Sequence, residues 1–248
     1  MASLWVSLIS LWTWLVLVVC VLLWLPLMLA ARLVTLADPG RYWVGYLFRQ
    51  IGVVTATLSP YWKFSFRGPM PADPRHPYVV VSNHESFTDI LLISHLPWEM
   101  KWLSKAELFR IPVMGWLMHL AGDIPVKRGF GPSAVEAMAK CREVLRRKVS
   151  VMIFPEGTRS STTELLPFKD GAFRLAIDAG VPILPLALHG TATALRKHDW
   201  RIGPSTAVVE VLAPVETTGL TPADVPALKR QVRDLIVEAR DRLAAELG

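Results

Sequence analysis

The chain has 248 residues, of which 52% are hydrophobic, and its formal net charge is +6. This length accommodates one substantial domain with an appendage, and the mean hydropathy of +0.36 is high for a soluble protein of this size. The basic charge favours nucleic acid or anionic lipid as a partner. No zinc-finger spacing, RNA-recognition signature or dense basic block occurs, so nucleic acid is not expected.

The N-terminus carries the hydrophobic excess. No charged side chain occurs from Ala2 to Ala31, and this run is long enough to cross a hydrocarbon core of ~30 Å as a helix. A cleaved signal peptide is the alternative, but the run is too long and no basic segment precedes it. Arg32, Arg41 and Arg49 follow, so the positive-inside bias places the rest of the chain on the cytoplasmic side of the inner membrane. Anionic membrane lipids are then the expected partner of the basic charge.

Two helices are predicted in this region, roughly from Leu4 to Ala31 and from Tyr42 to Leu58. Asp38-Pro39-Gly40 between them is a turn signal. The pair forms either a hairpin within one leaflet, or a spanning helix followed by one on the membrane surface, and the pattern leaves both open. We therefore divide the chain into membrane helices over residues 1–60 and a cytoplasm-facing catalytic domain over residues 61–248.

Beyond residue 60, short strands alternate with helices. Strands are predicted over residues 63–67, 78–82, 100–104, 124–127, 150–154, 183–188 and 207–212. Helices are predicted over residues 86–96, 132–148, 171–179 and 222–247, with partial helix over 107–120. The alternation predicts an α/β fold in which a mostly buried mixed sheet is flanked by helices.

His84 directly follows the buried strand that ends at Ser82, at the carboxyl end where α/β folds usually place their sites. An imidazole there can act as a general base, and Asp89 can hold its other ring nitrogen. The pair meets only if His84 precedes the next helix and Asp89 lies in its first turn. Ser86 with Asp89 also has the spacing of a capping box, which explains Asp89 without catalysis.

A second polar loop, Glu156-Gly157-Thr158-Arg159, follows another buried strand. Gly157 permits a tight turn, and the guanidinium of Arg159 offers a fork of donors suited to phosphate. A solvated Glu-Arg pair in a surface turn is the alternative interpretation. Lys127 and Arg128 follow a third strand, where they are either a second phosphate clamp or a basic strand end in water.

Together these segments resemble the glycerolipid acyltransferase family, and most closely its bacterial 1-acyl-sn-glycerol-3-phosphate acyltransferases. Asn83-His84-Glu85-Ser86-Phe87-Thr88-Asp89 looks like the family's first motif, and Phe154 to Ser160 matches its third. The segments from Ser104 through Arg128 and from Phe168 to Pro185 are similar to its other conserved regions. Four motifs in order, over roughly residues 62 to 215, make the resemblance specific.

The resemblance implies that His84 is the general base and Asp89 its partner. It also implies an acyl thioester donor, either acyl-CoA or acyl-carrier protein, a lysophospholipid acceptor, no metal and no bound cofactor. Relatives have a two-helix N-terminal motif, which favours the hairpin. The residues implied at the acceptor's glycerol-phosphate are Lys105, Arg128, Glu156, Gly157, Thr158 and Arg159. Pro125 departs from the pattern, which weakens the assignment of Lys127 and Arg128.

The expected reaction is transfer of an acyl chain to the sn-2 hydroxyl of lysophosphatidic acid, which gives phosphatidic acid. The nearest alternative is the same chemistry on another lyso-lipid, such as a lyso-ornithine lipid or another lysophospholipid. A non-catalytic lipid-binding membrane protein is a second alternative, against which the intact His84, Asp89, Glu156 and Arg159 argue. A hydrolase is disfavoured because no Gly-x-Ser-x-Gly nucleophile elbow occurs.

Overall fold

Two long helices precede the sheet. In the computed structural model, which describes residues 2–160, 164–196 and 198–247, α1 spans Ala2–Val34 and α2 spans Tyr42–Leu58. The carboxylate of Asp38 accepts hydrogen bonds from the backbone amides of Gly40 at 3.1 Å and Tyr42 at 2.7 Å. Asp38 thereby closes the predicted turn and satisfies a free amide at the start of α2.

The helices α1 and α2 form an antiparallel hairpin. The indole of Trp24 donates to the carbonyl of Leu47 at 2.8 Å, and the indole of Trp12 donates to that of Leu58 at 2.9 Å. The helix α1 continues through Pro26 without ending. Its segment Leu4–Val34 is the one helix of the described residues long and apolar enough, by length and composition, to cross a membrane.

Within the described residues, seven strands form one sheet, in the order β1-β7-β6-β2-β5-β3-β4. The strands are β1 (Trp62–Arg67), β2 (Val79–Ser82), β3 (Met100–Lys105), β4 (Ile124–Val126), β5 (Ser150–Ile153), β6 (Ile183–His189) and β7 (Ser205–Val211). All neighbouring pairs are parallel except β6 with β7, so the predicted mixed sheet is confirmed. Pro125 lies in the edge strand β4, where a missing backbone donor is tolerated.

The remaining helices flank this sheet. They are α3 (Asp89–Ile93), α4 (Met114–Ala121), α5 (Gly131–Arg146), α6 (Gly171–Ala179) and α7 (Val225–Leu247). Along β2, Val79 and Val81 join the apolar core under α5, α6 and α7, whereas Val80 joins the core under α3. Successive side chains of a strand point to opposite faces, so the sheet is buried on both sides.

The hairpin packs on the domain through one face of α1 and α2. Along α1, buried side chains recur from Ser10 to Met28, while leucines on the outer face are exposed. The inner face meets α2 and α4 in a shared apolar cluster that includes Val16, Val44 and Leu117. The hairpin is therefore part of the folded structure and not a detached tail. The division of the chain at residue 60 stays a prediction.

Buried charges join α2 to the sheet. The guanidinium of Arg49 donates to the carboxylate of Asp123, with one contact at 3.1 Å, and the ammonium of Lys101 lies 2.9 Å from the carboxylate of Glu99. Burial raises the pKa of Glu99 and lowers that of Lys101. Arg49 is therefore held by a buried ion pair and is not a free surface charge.

Candidate active site

His84 and Asp89 meet in the loop between β2 and α3. The Nδ1 atom of His84 lies 2.7 Å from Oδ2 of Asp89, and both side chains are buried. His84 precedes the helix and Asp89 is its first residue, as the sequence required. A carboxylate only accepts hydrogen bonds, so Nδ1 carries the proton and Nε2 is left with a free lone pair. The imidazole is thus oriented as a base.

The carboxylate of Asp89 is held by more than the histidine. Its Oδ2 accepts hydrogen bonds from the backbone amides of Glu85 at 2.8 Å and Ser86 at 3.0 Å. Its Oδ1 accepts a short hydrogen bond from the hydroxyl of Thr191, in the turn after β6. Asp89 is fully buried, and these donors compensate its lost hydration. The donors fix the carboxylate that orients His84.

The ring of His84 stacks on Phe154, the residue after β5. The ring centroids are 3.9 Å apart and the planes differ by 13°. Stacking restricts rotation of the imidazole about its side-chain bonds, while Asp89 fixes which nitrogen faces inward. Together the two contacts set the direction in which Nε2 points.

Glu156 connects the two predicted loops. Its carboxylate accepts hydrogen bonds from the backbone amides of His84 at 2.7 Å and Leu166 at 2.8 Å. Burial raises the pKa of this carboxyl, although the two amide donors oppose the shift. Both oxygens already have partners within the protein, so the role at the acceptor's glycerol-phosphate stays a prediction. The structure gives Glu156 a positioning role that the sequence did not suggest.

Gly157 makes the turn that the sequence predicted. Its φ is +73°, in the left-handed region, and its amide donates to the carbonyl of Phe154 at 3.0 Å. A β-carbon at this position would lie 2.6 Å from Nζ of Lys169. The next residue, Thr158, is exposed. The tight turn leads the chain directly from the buried Glu156 to Arg159.

The cationic residues lie at different places. Arg159 lines the cavities described below, and among the described residues no carboxylate pairs with its guanidinium. The pKa of Arg128 is lowered, mainly because the guanidinium is desolvated. The carboxylate of Glu107 opposes this shift and the charge of Arg159 adds to it, so Arg128 is within electrostatic range of Arg159. Lys105 is exposed at the end of β3, where its ammonium lies 3.8 Å from the carboxylate of Glu107. Of these three predicted cations, Arg159 is the one that lines a cavity together with His84.

Two cavities adjoin in this part of the protein, and His84 lines one of them. A polar cleft of about 570 Å³ is lined by His84, Glu156 and Arg159 and by Arg240 of α7. An apolar cavity of about 650 Å³ lies between α1, α2, α3 and α4. Its lining includes Leu17, Val21, Ile51, Leu91, Val113 and Met118. A substrate with an ionic head and an apolar tail fits this pair of cavities.

Sequence reasoning missed several of these features. Thr191 and Phe154 touch the pair directly but received no role, and the apolar cavity was not predicted. A signal for Thr191 was present, because Gly190-Thr191 directly follows the strand β6, whose neighbour β2 precedes His84. Polar residues after adjacent strand ends are candidates for one site when the strands are parallel.

A histidine-carboxylate pair at a cationic cleft that adjoins an apolar cavity is suited to an enzyme that acts on an amphipathic substrate. The family model described as acyltransferase matches residues 63–189, just over half of the chain. The chain belongs to this acyltransferase family.

Similar curated proteins carry a more specific name. The human 1-acyl-sn-glycerol-3-phosphate acyltransferase alpha is 41% identical over 169 residues, which are 67% of this chain and 60% of that protein. A chloroplastic 1-acyl-sn-glycerol-3-phosphate acyltransferase of Brassica napus is 42% identical over 137 residues, which are 54% of this chain and 40% of that one. The chain thus spans 40% to 60% of the length of these relatives.

The fold also matches a solved structure. The crystal structure of the 1-acyl-sn-glycerophosphate acyltransferase PlsC from Thermotoga maritima superposes with a TM-score of 0.83 at 24% sequence identity. The match covers 99% of this chain and 98% of that one. The whole fold, including the N-terminal hairpin, is therefore shared with this structure.

Proposed function

We propose that this protein transfers an acyl group from a thioester to the sn-2 hydroxyl of lysophosphatidic acid and so forms phosphatidic acid. The observation that carries the proposal is the His84-Asp89 pair, at 2.7 Å, whose histidine lines a cleft that also contains Arg159 and adjoins an apolar cavity. The relatives named 1-acyl-sn-glycerol-3-phosphate acyltransferases support the choice of acceptor.

In the proposed reaction, Nε2 of His84 accepts the proton of the acceptor hydroxyl as that oxygen attacks the thioester carbonyl carbon. The new ester C–O bond forms, the C–S bond breaks, and the thiolate leaves with the electron pair of that bond. The imidazolium then returns the proton to the thiolate. The carboxylate of Asp89 stabilises the imidazolium while it lasts, as in a hydrolase triad. The reaction uses neither a metal ion nor a bound cofactor.

The acceptor's phosphate binds in the polar cleft in this account. Arg159 supplies a guanidinium that no carboxylate of the described residues neutralises, and a phosphate can accept two parallel hydrogen bonds from it. Arg128 contributes a positive charge within electrostatic range of Arg159, and Thr158 and Lys105 are exposed and accessible to the acceptor from solvent. The apolar cavity accommodates an acyl chain, whose transfer out of water is favourable.

The hairpin places the site at a membrane in the proposal. Only 22% of the most apolar 18-residue segment of α1 is buried, so this helix is not the enclosed core helix of a soluble protein. Its inner face is nevertheless packed on the domain from Ser10 to Met28. A helix covered by protein along one face cannot be surrounded by lipid, so we place the hairpin in one leaflet, on the cytoplasmic side of the inner membrane.

The test is a transfer assay in mixed micelles with purified protein. Acyl-CoA and acyl-carrier protein are each crossed with lysophosphatidic acid, lysophosphatidylcholine and a lyso-ornithine lipid. We expect transfer to lysophosphatidic acid to be fastest, and the two donor arms identify the thioester. Preference for the phosphate-free lyso-ornithine lipid would overturn the choice of acceptor, and no transfer to any acceptor would overturn the enzymatic proposal.

A further inference from the structure

Arg196 lies at the junction of the two cavities and outside the sequence motifs of the site. Three residues line both the polar cleft and the apolar cavity: Arg159, Leu195 and Arg196. If the ionic head of an amphipathic substrate lies in the polar cleft and its tail in the apolar cavity, the link between head and tail lies where the cavities meet. Arg196 therefore shares this junction with Arg159.

A small hairpin loop carries Arg196. Leu195 pairs with Ile202 in an antiparallel bridge, and the amide of Gly203 donates to the carbonyl of Ala194 at 3.0 Å. These contacts close the base of the loop. Arg196 follows directly after the bridge, so its backbone is fixed at one end.

The helix α1 holds this loop from the other side. The backbone amide of Ile202 donates to the hydroxyl of Ser10 at 2.8 Å, and the indole of Trp14 donates to the carbonyl of Trp200 at 2.8 Å. Ser10 is fully buried at this contact. The N-terminal helix thus contributes to the position of a loop at the mouth of the site as well as to membrane attachment.

The guanidinium of Arg196 has one carboxylate within electrostatic range, that of Asp199, whose pKa is lowered mainly by Arg201 and to a smaller extent by Arg196. Its neighbour in the loop, Arg201, forms an ion pair with Asp199 at 2.9 Å. Among the residues that the structure describes, neither Arg196 nor Arg159 forms an ion pair or a side-chain hydrogen bond. Two unpaired guanidinium groups at the meeting point of two cavities form a local positive field that attracts an anionic ligand.

We propose that Arg196 is a second phosphate-binding residue of the site and acts together with Arg159. The inference rests on the proposed function, because both substrates of that reaction carry phosphate esters. The lyso-lipid has one at its head, and the donor has them on its phosphopantetheine arm. A guanidinium binds either group through paired N–H donors. The shared ligand chemistry is a phosphate ester.

The experiment measures equilibrium binding of lysophosphatidic acid in detergent micelles and of CoA in separate titrations. Wild type is compared with Arg196→Gln and with Arg230→Gln, which removes one positive charge from an exposed position of α7 that lines neither cavity. Loss of a charged hydrogen-bond donor predicts that Arg196→Gln weakens binding of one ligand by about tenfold to a hundredfold. Arg230→Gln is expected to match wild type.

The two titrations identify the source of the phosphate. A loss confined to lysophosphatidic acid assigns Arg196 to the acceptor, and a loss confined to CoA assigns it to the donor. Three results would overturn the proposal. Arg196→Gln could bind both ligands as tightly as wild type, Arg230→Gln could lose as much affinity as Arg196→Gln, or wild type could bind neither ligand. Acyl transfer is measured separately. If wild type binds a ligand in a way that depends on Arg196 but catalyses no transfer, the proposed function fails while the role of Arg196 in binding stands.

Discussion

The carboxylate of Glu156 accepts a hydrogen bond from the backbone amide of His84 at 2.7 Å, although 72 residues separate the two in the chain. The same carboxylate accepts a second bond from the amide of Leu166 at 2.8 Å. One buried side chain therefore joins the loop after β2 to the loop after β5. The proposed general base is positioned by a residue of the loop that also carries Arg159.

The raised pKa of Glu156 predicts a pH dependence of stability. Burial is the largest cause of the shift above the usual 4.5, so the folded protein holds a proton at pH values where the unfolded chain has released it. In Glu156→Gln this position does not titrate. The unfolding free energy of wild type minus that of Glu156→Gln is therefore highest below the pKa that Glu156 has in the unfolded chain. It falls as the pH rises through the raised native pKa.

Urea denaturation of both proteins in detergent micelles, from about pH 4 to pH 8, measures this difference. Subtraction of the two curves cancels the contributions of titrating groups that do not interact with Glu156. A difference that stays constant or grows with pH contradicts the prediction.

Removal of the hydroxyl of Thr191 is expected to impair catalysis without altering the shape of the site. Thr191→Val leaves Oδ1 of Asp89 without its threonine donor in a fully buried position. Because a buried charge loses a hydrogen-bond partner, we expect the unfolding free energy to fall by about 1–3 kcal/mol. Because Asp89 is then held less firmly, we also expect a lower kcat. Thr193→Val is the matched control, because Thr193 lies in the same turn and is exposed. Equal kcat values for the two variants would count against the role of Thr191.

Gly157 can be tested against a second glycine with similar backbone geometry. Gly157 has φ +73° and Gly180 has φ +63°, but a β-carbon would approach Lys169 only at Gly157. The left-handed conformation predicts that each change to alanine destabilises the protein by about 1–2 kcal/mol. Only Gly157→Ala is expected to lower kcat/KM, because its loop carries Glu156 and Arg159. Equal activity in Gly157→Ala and Gly180→Ala would show that the turn is not part of the site.

The contact between α1 and the loop that carries Arg196 predicts a local effect of Ser10→Ala. The change removes the acceptor of the Ile202 amide in a buried position. We expect faster hydrogen exchange at that amide and an unfolding free energy lower by about 1–3 kcal/mol. Ser65→Ala, at an exposed position of β1, controls for loss of a hydroxyl. Unchanged exchange at Ile202 in Ser10→Ala would contradict the contact.

Local patterns were sufficient to predict most elements of the fold. The predicted bounds of α2 (Tyr42–Leu58) and α6 (Gly171–Ala179) agree with the structure, because apolar spacing and flanking turn residues decide them. Gly180 ends α6 with a left-handed backbone, as its position suggested. The same reasoning identified β2 and β5 as buried strands, which placed both loops of the site at one edge.

The helix predicted over residues 86–96 is shorter than expected, because tertiary contacts compete with the local pattern. The structure has helix only over Asp89–Ile93. The carboxylate of Asp89 binds the backbone amides of Glu85 and Ser86, while the hydroxyl of Ser86 donates to the carbonyl of Leu195 at 3.0 Å. The helix begins at Asp89 with Thr88 at the N-cap position, so Ser86 is not the predicted N-cap, although its hydroxyl also accepts a hydrogen bond from the amide of Thr88 at 3.4 Å.

The missed parts of the site depend on contacts between distant segments. Thr191 meets Asp89 across 102 residues, and the cavity forms only when α1 and α2 pack on α3 and α4. A local sequence pattern contains no information on contacts between segments so far apart in the chain. The loop with Arg196 was missed for the same reason, because its neighbours in space include Ser10 and Trp14 at the other end of the chain.

Single-turnover acyl transfer by His84→Ala tests the central claim most directly. With lysophosphatidic acid and the donor that wild type prefers, loss of the general base predicts a rate lower by about a hundredfold to ten-thousandfold. His84→Gln, which is closer in volume, and circular dichroism of both variants control for misfolding. The account predicts a folded, nearly inactive protein that still binds both substrates. Transfer by folded His84→Ala at a rate near that of wild type would contradict it.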